Sequence, residues 1–367
     1  MKCNMDKNDV NQNIEVKSTP PKPKRLWLNF LVVFIILGVL LYLAFKFAGD
    51  INNVIFHIKN ANIWYILLAL LGVFIFSVIN SLSGHSIFVF TKAKINFTNS
   101  FLIQNMEMFW NGITPFSTGG APIQAYYYVK AGAEPNKATS VMLSNFIIYQ
   151  TVLTLLSILA IIFFHNDLSL ALQKKNVGWY IITIGFSINT VLFFLSVFFS
   201  FSSKTSLLLN KIITLICKIK PLRNKKDKWV SKATAFTNKF QESLRFLFKR
   251  KRLFFVSLTL KIVAQLVFFF IPVLVYLSLG YNIFDANEMF YIMSAVLLAS
   301  STMMWVPLPG ASGGTETAFI ILLSLPFLYL GESQIVALML VWRFITYYFG
   351  MIYGGINYLI LKRRIRS

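Results

Sequence analysis

Residues 110–128 read WNGITPFSTGGAPIQAYYY, and residues 305–319 read WVPLPGASGGTETAF. Each stretch carries a Trp, then a Pro four or five residues on, then Gly-Gly four residues after that Pro. Trp110, Pro115, Gly119 and Gly120 thus match Trp305, Pro309, Gly313 and Gly314, about half the chain apart. The sequence around both motifs is apolar and has the look of helix, yet proline and glycine interrupt it. Inside a bilayer, broken backbone is tolerated only where protein buries it or where it lines a polar cavity. We read residues 97–128 and 287–330 as broken helices or re-entrant hairpins, with loops at the membrane surface as the alternative.

The composition makes lipid the solvent for these elements. Of the 367 residues, 56% are hydrophobic, 16% aromatic and 13% charged, against about 25% charged in a soluble domain. Disorder, a collagen-like chain and an ordinary soluble enzyme are excluded. Six runs are long enough to span: residues 26–47, 63–90, 134–164, 178–201, 253–279 and 334–361. About 20 apolar residues cross the hydrocarbon core. Pro135 suits the first turn of the third run, where its missing N–H is not needed. The expected fold is an all-α polytopic membrane protein. It has six to eight transmembrane helices, depending on whether the two broken or re-entrant elements cross. The polar start lacks a signal-peptide core, so the first span is expected to be an anchor that is not cleaved.

Charge sets the expected orientation. The net charge is +22. Residues 1–25, a tail expected to be disordered, hold six basic and three acidic groups. Residues 203–252 hold fifteen basic and two acidic groups, and residues 362–367 hold four basic and none acidic. By the positive-inside rule both termini and the long loop face the cytosol, with a membrane domain over residues 26–361. With spans this apolar, the basic excess points to anionic lipid and not to nucleic acid. On this topology the two glycine motifs are entered from opposite sides, the signature of an inverted repeat. Such repeats place a substrate site near the midplane, built from discontinuous helices. Within the basic loop, Leu208, Ile212, Leu215, Ile216 and Ile219 fall on one helical arc. Trp229, Ala233, Phe236, Phe240, Leu244 and Leu247 form another. These amphipathic stretches lie on the inner leaflet, or pack on the protein's own cytosolic face.

No nucleophile–base set, nucleotide-binding motif or metal spacing stands out. His57, His85 and His165 are scattered, and Cys3 and Cys217 make no metal pair. We expect no cofactor, no metal and no catalytic residue. What remains is polar groups at membrane depth, which are costly and so are functional candidates. Gln104, Glu107 and Asn111 share a helix face by their spacing and run into Thr114, Ser117, Thr118, Gly119 and Gly120. A break of that composition presents backbone N–H groups, and a helix starting after it adds a positive dipole end. Together these suit an anionic headgroup such as phosphate. Gln124, Tyr126 and Lys130 lie beyond and complete the pocket.

In the second half, Ser312, Gly313, Gly314 and Thr315 form the equivalent break, with Glu316 just inside the next helix. Glu316 is read either as a cap or as the partner of Arg343, which lies about 13 Å into the last span at helical rise. Arg343 serves as a structural ion pair or as a phosphate contact, since its planar fork fits phosphate. Lys261 is expected to snorkel to the cytosolic end of its helix. Gly350 and Gly354, and the face Ser77, Ser81, Gly84 and His85, read as helix packing, with His85 as an interhelical donor.

The motifs NGITPFSTGGAPIQAYYYVKAG and PLPGASGGTETAF resemble the lysylphosphatidylglycerol synthase transmembrane family. This is the flippase-like membrane domain of the bacterial multiple peptide resistance factor. The resemblance covers residues 26–361. It rests on Asn111, Thr114, Pro115, Gly119, Gly120, Pro122, Gln124 and Tyr126, then on Pro307, Pro309, Gly310, Gly313 and Glu316. It implies a multi-pass protein of the bacterial cell membrane. It also implies a translocase for an anionic or aminoacylated phospholipid such as lysyl-phosphatidylglycerol. The family name implies a phosphatidylglycerol lysyltransferase instead, but residues 362–367 leave no length for the soluble transferase domain. A third reading is a membrane partner for a separate lipid- or glycan-modifying enzyme. The expected partners are membrane phospholipids with anionic headgroups; self-association is left open.

Overall fold

The computed structural model describes residues 50–90, 95–114, 117–174, 180–201, 249–282, 285–304, 309–324 and 330–365, with isolated positions elsewhere. The described residues are helical, with no strand among them. Helices α1 (Ile51–Lys59) and α2 (Ile63–Phe90) lead into a broken element made of α3 (Phe97–Gly112) and α4 (Gly120–Lys130). Next come α5 (Pro135–Phe163), α6 (His165–Lys174), α7 (Tyr180–Phe201) and α8 (Lys251–Ser278). The second broken element is α9 (Ala286–Met303), a 3-10 turn at Pro309–Ala311, and α10 (Gly314–Leu322). Finally α11 (Glu332–Arg343) runs through a π-helical stretch, Phe344–Phe349, into α12 (Gly350–Arg364).

Among the described residues, four helices are long and apolar enough to cross a membrane: Ile63–Val89, Pro135–Phe163, Lys251–Ser278 and Glu332–Arg364. The shortest has 27 residues, or about 40 Å of helix at 1.5 Å per residue. Both glycine-rich stretches are helix, break, helix, as expected. The expected first span at 26–47 lies outside the described residues, as do the tail 1–25 and the terminal residues 366–367. The same holds for most of the basic loop, and for the motif residues Pro115, Trp305 and Pro307. Helices α1 and α6 are additions that the sequence reading lacked.

Local chemistry fixes the helix starts. Asp50, Asn96 and Asp285 accept from Asn52 N, Asn99 N and Glu288 N at 2.9, 2.8 and 2.8 Å. Each satisfies a backbone donor that the first turn leaves orphaned. Pro135 occupies the first turn of α5. The two broken elements therefore begin alike, each from an Asn or Asp cap.

Helices α2 and α8 pack closely and run antiparallel. Gly72 meets Ile271, Phe76 meets Phe268, Asn80 meets Lys261, and Ser83 meets Ser257, with one series rising as the other falls. Helix α3 packs on α12, and α9 packs on α5. The core forms two clusters. One joins α5, α8, α9, α10 and α11 through residues such as Tyr291, Phe319 and Trp342. The other joins α3, α4, α5 and α12 around Trp110 and Ile148. Polar pairs tie helices together inside the apolar mass, among them Gln150 Nε2 to Asn189 Oδ1 at 2.6 Å. Gly354 brings α12 against the α3 backbone at Asn105 and Phe109, so the GxxxG pair is packing, as read.

Candidate functional site

The first break is closed by its own side chains. Glu107 and Asn111 project from the last turns of α3. Glu107 Oε1 accepts from Asn111 Nδ2 at 3.2 Å, and Oε2 accepts from Gln124 Nε2 of α4 at 2.9 Å. Asn111 Oδ1 in turn accepts the Gly120 N–H at 2.8 Å. Thr114 Oγ1 accepts the Gly119 N–H at 2.9 Å while donating to the Trp110 carbonyl at 2.7 Å. The two N–H groups expected to face an anion are thus already satisfied by Asn111 and Thr114. The closeness requires glycine: a Cβ at Gly120 would collide with Glu107 and Asn111.

The second break repeats this scheme with charge. Glu316 Oε2 accepts the Gly313 N–H at 2.6 Å, and Glu316 Oε1 lies 2.6 Å from Arg343 Nε. The Arg343 N–H is poorly aligned on that oxygen, so the contact is ionic and not a well-directed hydrogen bond. Glu316 is 4% exposed and Arg343 8%. The two readings of Glu316 hold together: it caps α10 and pairs with Arg343. Arg343 Nη2 also donates to the Gly310 carbonyl at 3.3 Å. Its guanidinium carbon lies 5.0 and 5.5 Å from the ring centres of Trp342 and Tyr347, within cation–π range. Gly310 holds φ of 63°, and a Cβ there would strike the Tyr347 ring.

The breaks share a backbone device. Ser117 and Ala311, each two residues before its motif glycine, hold positive φ of 51° and 52°. Residues other than glycine take that conformation at a cost of about 1–2 kcal/mol.

Tyr347 links the last helix to α3. It sits in the π-helical stretch and donates to the Gly112 carbonyl, at the end of α3, at 2.7 Å. π-Turns inside α-helices cluster at functional sites. Beside this bond lies a cavity of about 290 Å³. Asn111 and Ser117 contribute from the first break, Gly310 from the second, Gln265 from α8 and Tyr347 from the last helix. No charged side chain is among its described lining residues.

Several expected site residues therefore gather: Glu107, Asn111, Thr114, Gly119, Gly120 and Gln124 in one network, Gly313, Glu316 and Arg343 in another. Others do not. Thr118 is exposed. Tyr126 and Lys130 face each other, the ammonium 4.9 Å from the ring centre, and neither lines the cavity. Ser312 and Thr315 are buried, and Thr315 Oγ1 bonds to the Ala311 carbonyl at 3.1 Å. Gly314 opens α10.

Two expectations for single side chains change. Lys261 does not snorkel: it is 2% exposed and bonds to Asn80 Oδ1 at 2.6 Å, within electrostatic reach of Glu107. His85 lies edge-on to Phe97 and makes no interhelical hydrogen bond among the described residues. The reading also lacked Tyr347, Tyr149 and Asn80. Asn80 falls in helical register with Ser77, Ser81 and Gly84, and that spacing was the available signal.

The family description "Lysylphosphatidylglycerol synthase TM region" matches residues 27–354. The UPF0104 membrane protein MJ1595 of Methanocaldococcus jannaschii is 25% identical over 342 residues, covering 91% of this chain and 95% of its own length.

Proposed function

The chain belongs to the lysylphosphatidylglycerol synthase transmembrane-region family, and from that premise we infer that it moves a phospholipid between leaflets. One observation carries the reading: both glycine breaks reach one cavity, the first through Asn111 and Ser117 and the second through Gly310, with Gln265, Ser300 and Tyr347 from neighbouring helices on the same wall. The headgroup of an anionic or aminoacylated phospholipid enters this space while its acyl chains stay in lipid. Arg343 supplies the nearby cation, exchanging Glu316 for the phosphate.

The inverted repeat belongs to the same proposal. Its support is the antiparallel course of α2 and α8, the exchange of partners by α3 and α9, and the matched positive φ of Ser117 and Ala311. On this topology the molecule is a multi-pass protein of the bacterial cell membrane, with both termini and the basic loop in the cytosol. The six to eight crossings follow from counting the broken elements.

The test is reconstitution into liposomes carrying fluorescent phosphatidylglycerol or lysyl-phosphatidylglycerol in both leaflets. Transport makes the inner-leaflet probe accessible to a membrane-impermeant quencher. Glu316→Gln and Arg343→Ala are expected to abolish exchange. Full exchange in both variants, at equal protein incorporation, refutes the role given to the pair.

A further inference from the structure

We propose that Glu107, with Lys261 near it, is a proton-binding site that takes up a proton when an anionic headgroup enters the cavity, so that proton and lipid cross together. The inference rests on the translocation reading and adds its coupling ion. Two carboxylate–cation sets lie in the interior, and they are built differently. Glu316 and Arg343 are in contact at 2.6 Å, which holds both as ions. Glu107 and Lys261 are within electrostatic reach of each other, yet form no ion pair among the described residues. Each is held by neutral amides instead: Glu107 by Asn111 and Gln124, Lys261 by Asn80. An amide offers a donor and an acceptor, so it can serve a carboxylate or a carboxylic acid. Glu107 is therefore the interior carboxylate that can be discharged without breaking an ion pair.

Charge balance supplies the reason. Glu107, Lys261, Glu316 and Arg343 cancel as ions, so a phosphate monoanion drawn among them arrives uncompensated, which is costly at membrane depth. A proton from water on a Glu107 oxygen leaves Lys261 as the excess cation and restores neutrality; the proton returns to water on the other side. An aminoacylated headgroup brings its own cation, so the same cavity serves both members of the proposed substrate class. The bonding ties this proton to the cavity. Asn111 lines the cavity and donates its amide N–H to Glu107. A protonated Glu107 gives up an acceptor role, which frees Asn111 Nδ2 for the phosphate. The new O–H has an acceptor on the same face of α3, three residues back: Gln104 is 4% exposed, and its Oε1 accepts no hydrogen bond among the described residues. Glu107 itself is only partly buried, so a proton can reach it. The other ionisable groups around it are phenols, Tyr128 on α4 and Tyr149 on α5, with Tyr353 and Tyr358 on α12. Phenols stay neutral near pH 7. On α2 the neighbour is Asn80, and His85 lies against Phe97.

Calorimetry counts the proton. The full chain in detergent is titrated with dioctanoyl phosphatidylglycerol in buffers of differing ionisation enthalpy, from about pH 5 to about pH 9. Where Glu107 is ionised before binding, the wild type is expected to take up about one proton per lipid, and its affinity to fall about tenfold per pH unit. Glu107→Gln fixes the neutral form, and is expected to take up none and to bind with an affinity independent of pH. In liposomes, a gradient of about one pH unit is expected to gather fluorescent phosphatidylglycerol in the leaflet facing the alkaline side, by up to about tenfold. Glu107→Gln is expected to lose that bias.

Binding by the wild type without proton uptake overturns the proposal, a result that needs no variant to fold. Uptake retained in Glu107→Gln also overturns it and moves the proton to another group, Glu316 first. Crossing that ignores the pH gradient, with no uptake on binding, overturns the proton site and leaves translocation standing. Proton uptake on binding with no lipid crossing overturns translocation and leaves the proton site standing. Absence of binding overturns both.

Discussion

Removing the Arg343 side chain tests the second break most directly. Arg343→Met keeps the stem and deletes the guanidinium, leaving the Glu316 carboxylate 4% exposed with the Gly313 N–H as its remaining donor among the described residues. Breaking a buried ion pair from one side costs about 3–5 kcal/mol. Glu316→Gln is gentler. The amide oxygen still accepts from Gly313, and Arg343 keeps the Gly310 carbonyl and two aromatic rings. Its loss is the charged part of one contact, about 1.5–3 kcal/mol. The double variant leaves no unpaired charge, so its loss should fall short of the sum by about 2 kcal/mol, inside the range for directly coupled neighbours. Reversible unfolding in mixed micelles, followed by tryptophan fluorescence, yields all three values. Additivity within about 0.5 kcal/mol would refute the pairing and with it the exchange of Glu316 for a phosphate.

Further consequences can be checked one residue at a time. Gly120→Ala places a methyl group on Glu107 and Asn111; with overpacking at about 1–3 kcal/mol, a markedly lower unfolding temperature is expected, and an unchanged one would refute the tight break. Tyr347→Phe removes the bond to Gly112 and should cost about 1 kcal/mol while slowing lipid exchange; unaltered exchange would dissociate the link from transport. Lys261→Met is expected to weaken folding through Asn80 and Glu107, with Asn80→Ala less than additive to it; a snorkelling lysine would be insensitive to Asn80. Ala311→Gly relieves a positive φ of 52° and should be neutral or stabilising, whereas Ala311→Val should destabilise; equal effects would argue against the strained turn.

The helices were legible because lipid imposes a simple rule on long apolar runs. The Ile63–Phe90 helix falls where its hydrophobic run falls, and the Pro135 start of α5 follows from proline's missing donor. The breaks were legible for the complementary reason, since Pro and Gly interrupt sequence that otherwise holds helix. Glu316 and Arg343 were paired in the reading because two opposite charges at depth need each other. Lys261 was misread because a lysine ten residues into its helix can, taken alone, run its long stem toward the nearer end; its inward turn depends on Asn80, which only the α2–α8 packing brings near. The satisfied N–H groups of Gly119 and Gly120 were likewise hidden. Composition shows that donors exist in a glycine-rich turn, and says nothing about which neighbours have already taken them. Tyr347 was passed over because an aromatic residue in an apolar helix reads as packing. Its significance arises from the wider winding at Phe344–Phe349.

That wider winding changes the phase of the final helix. Hydrogen bonds that skip one extra residue put the portion after Phe349 out of step with the portion before Phe344 by about 100°, one residue's share of a regular turn. Rewinding the stretch would swing Arg343 about the helix axis relative to Gly354, which is clamped against α3. A rotation of that size would carry the guanidinium off Glu316 while the lower half of the helix stayed seated. Six residues of loose coil thus amount to a swivel between an anchored stem and a charged tip.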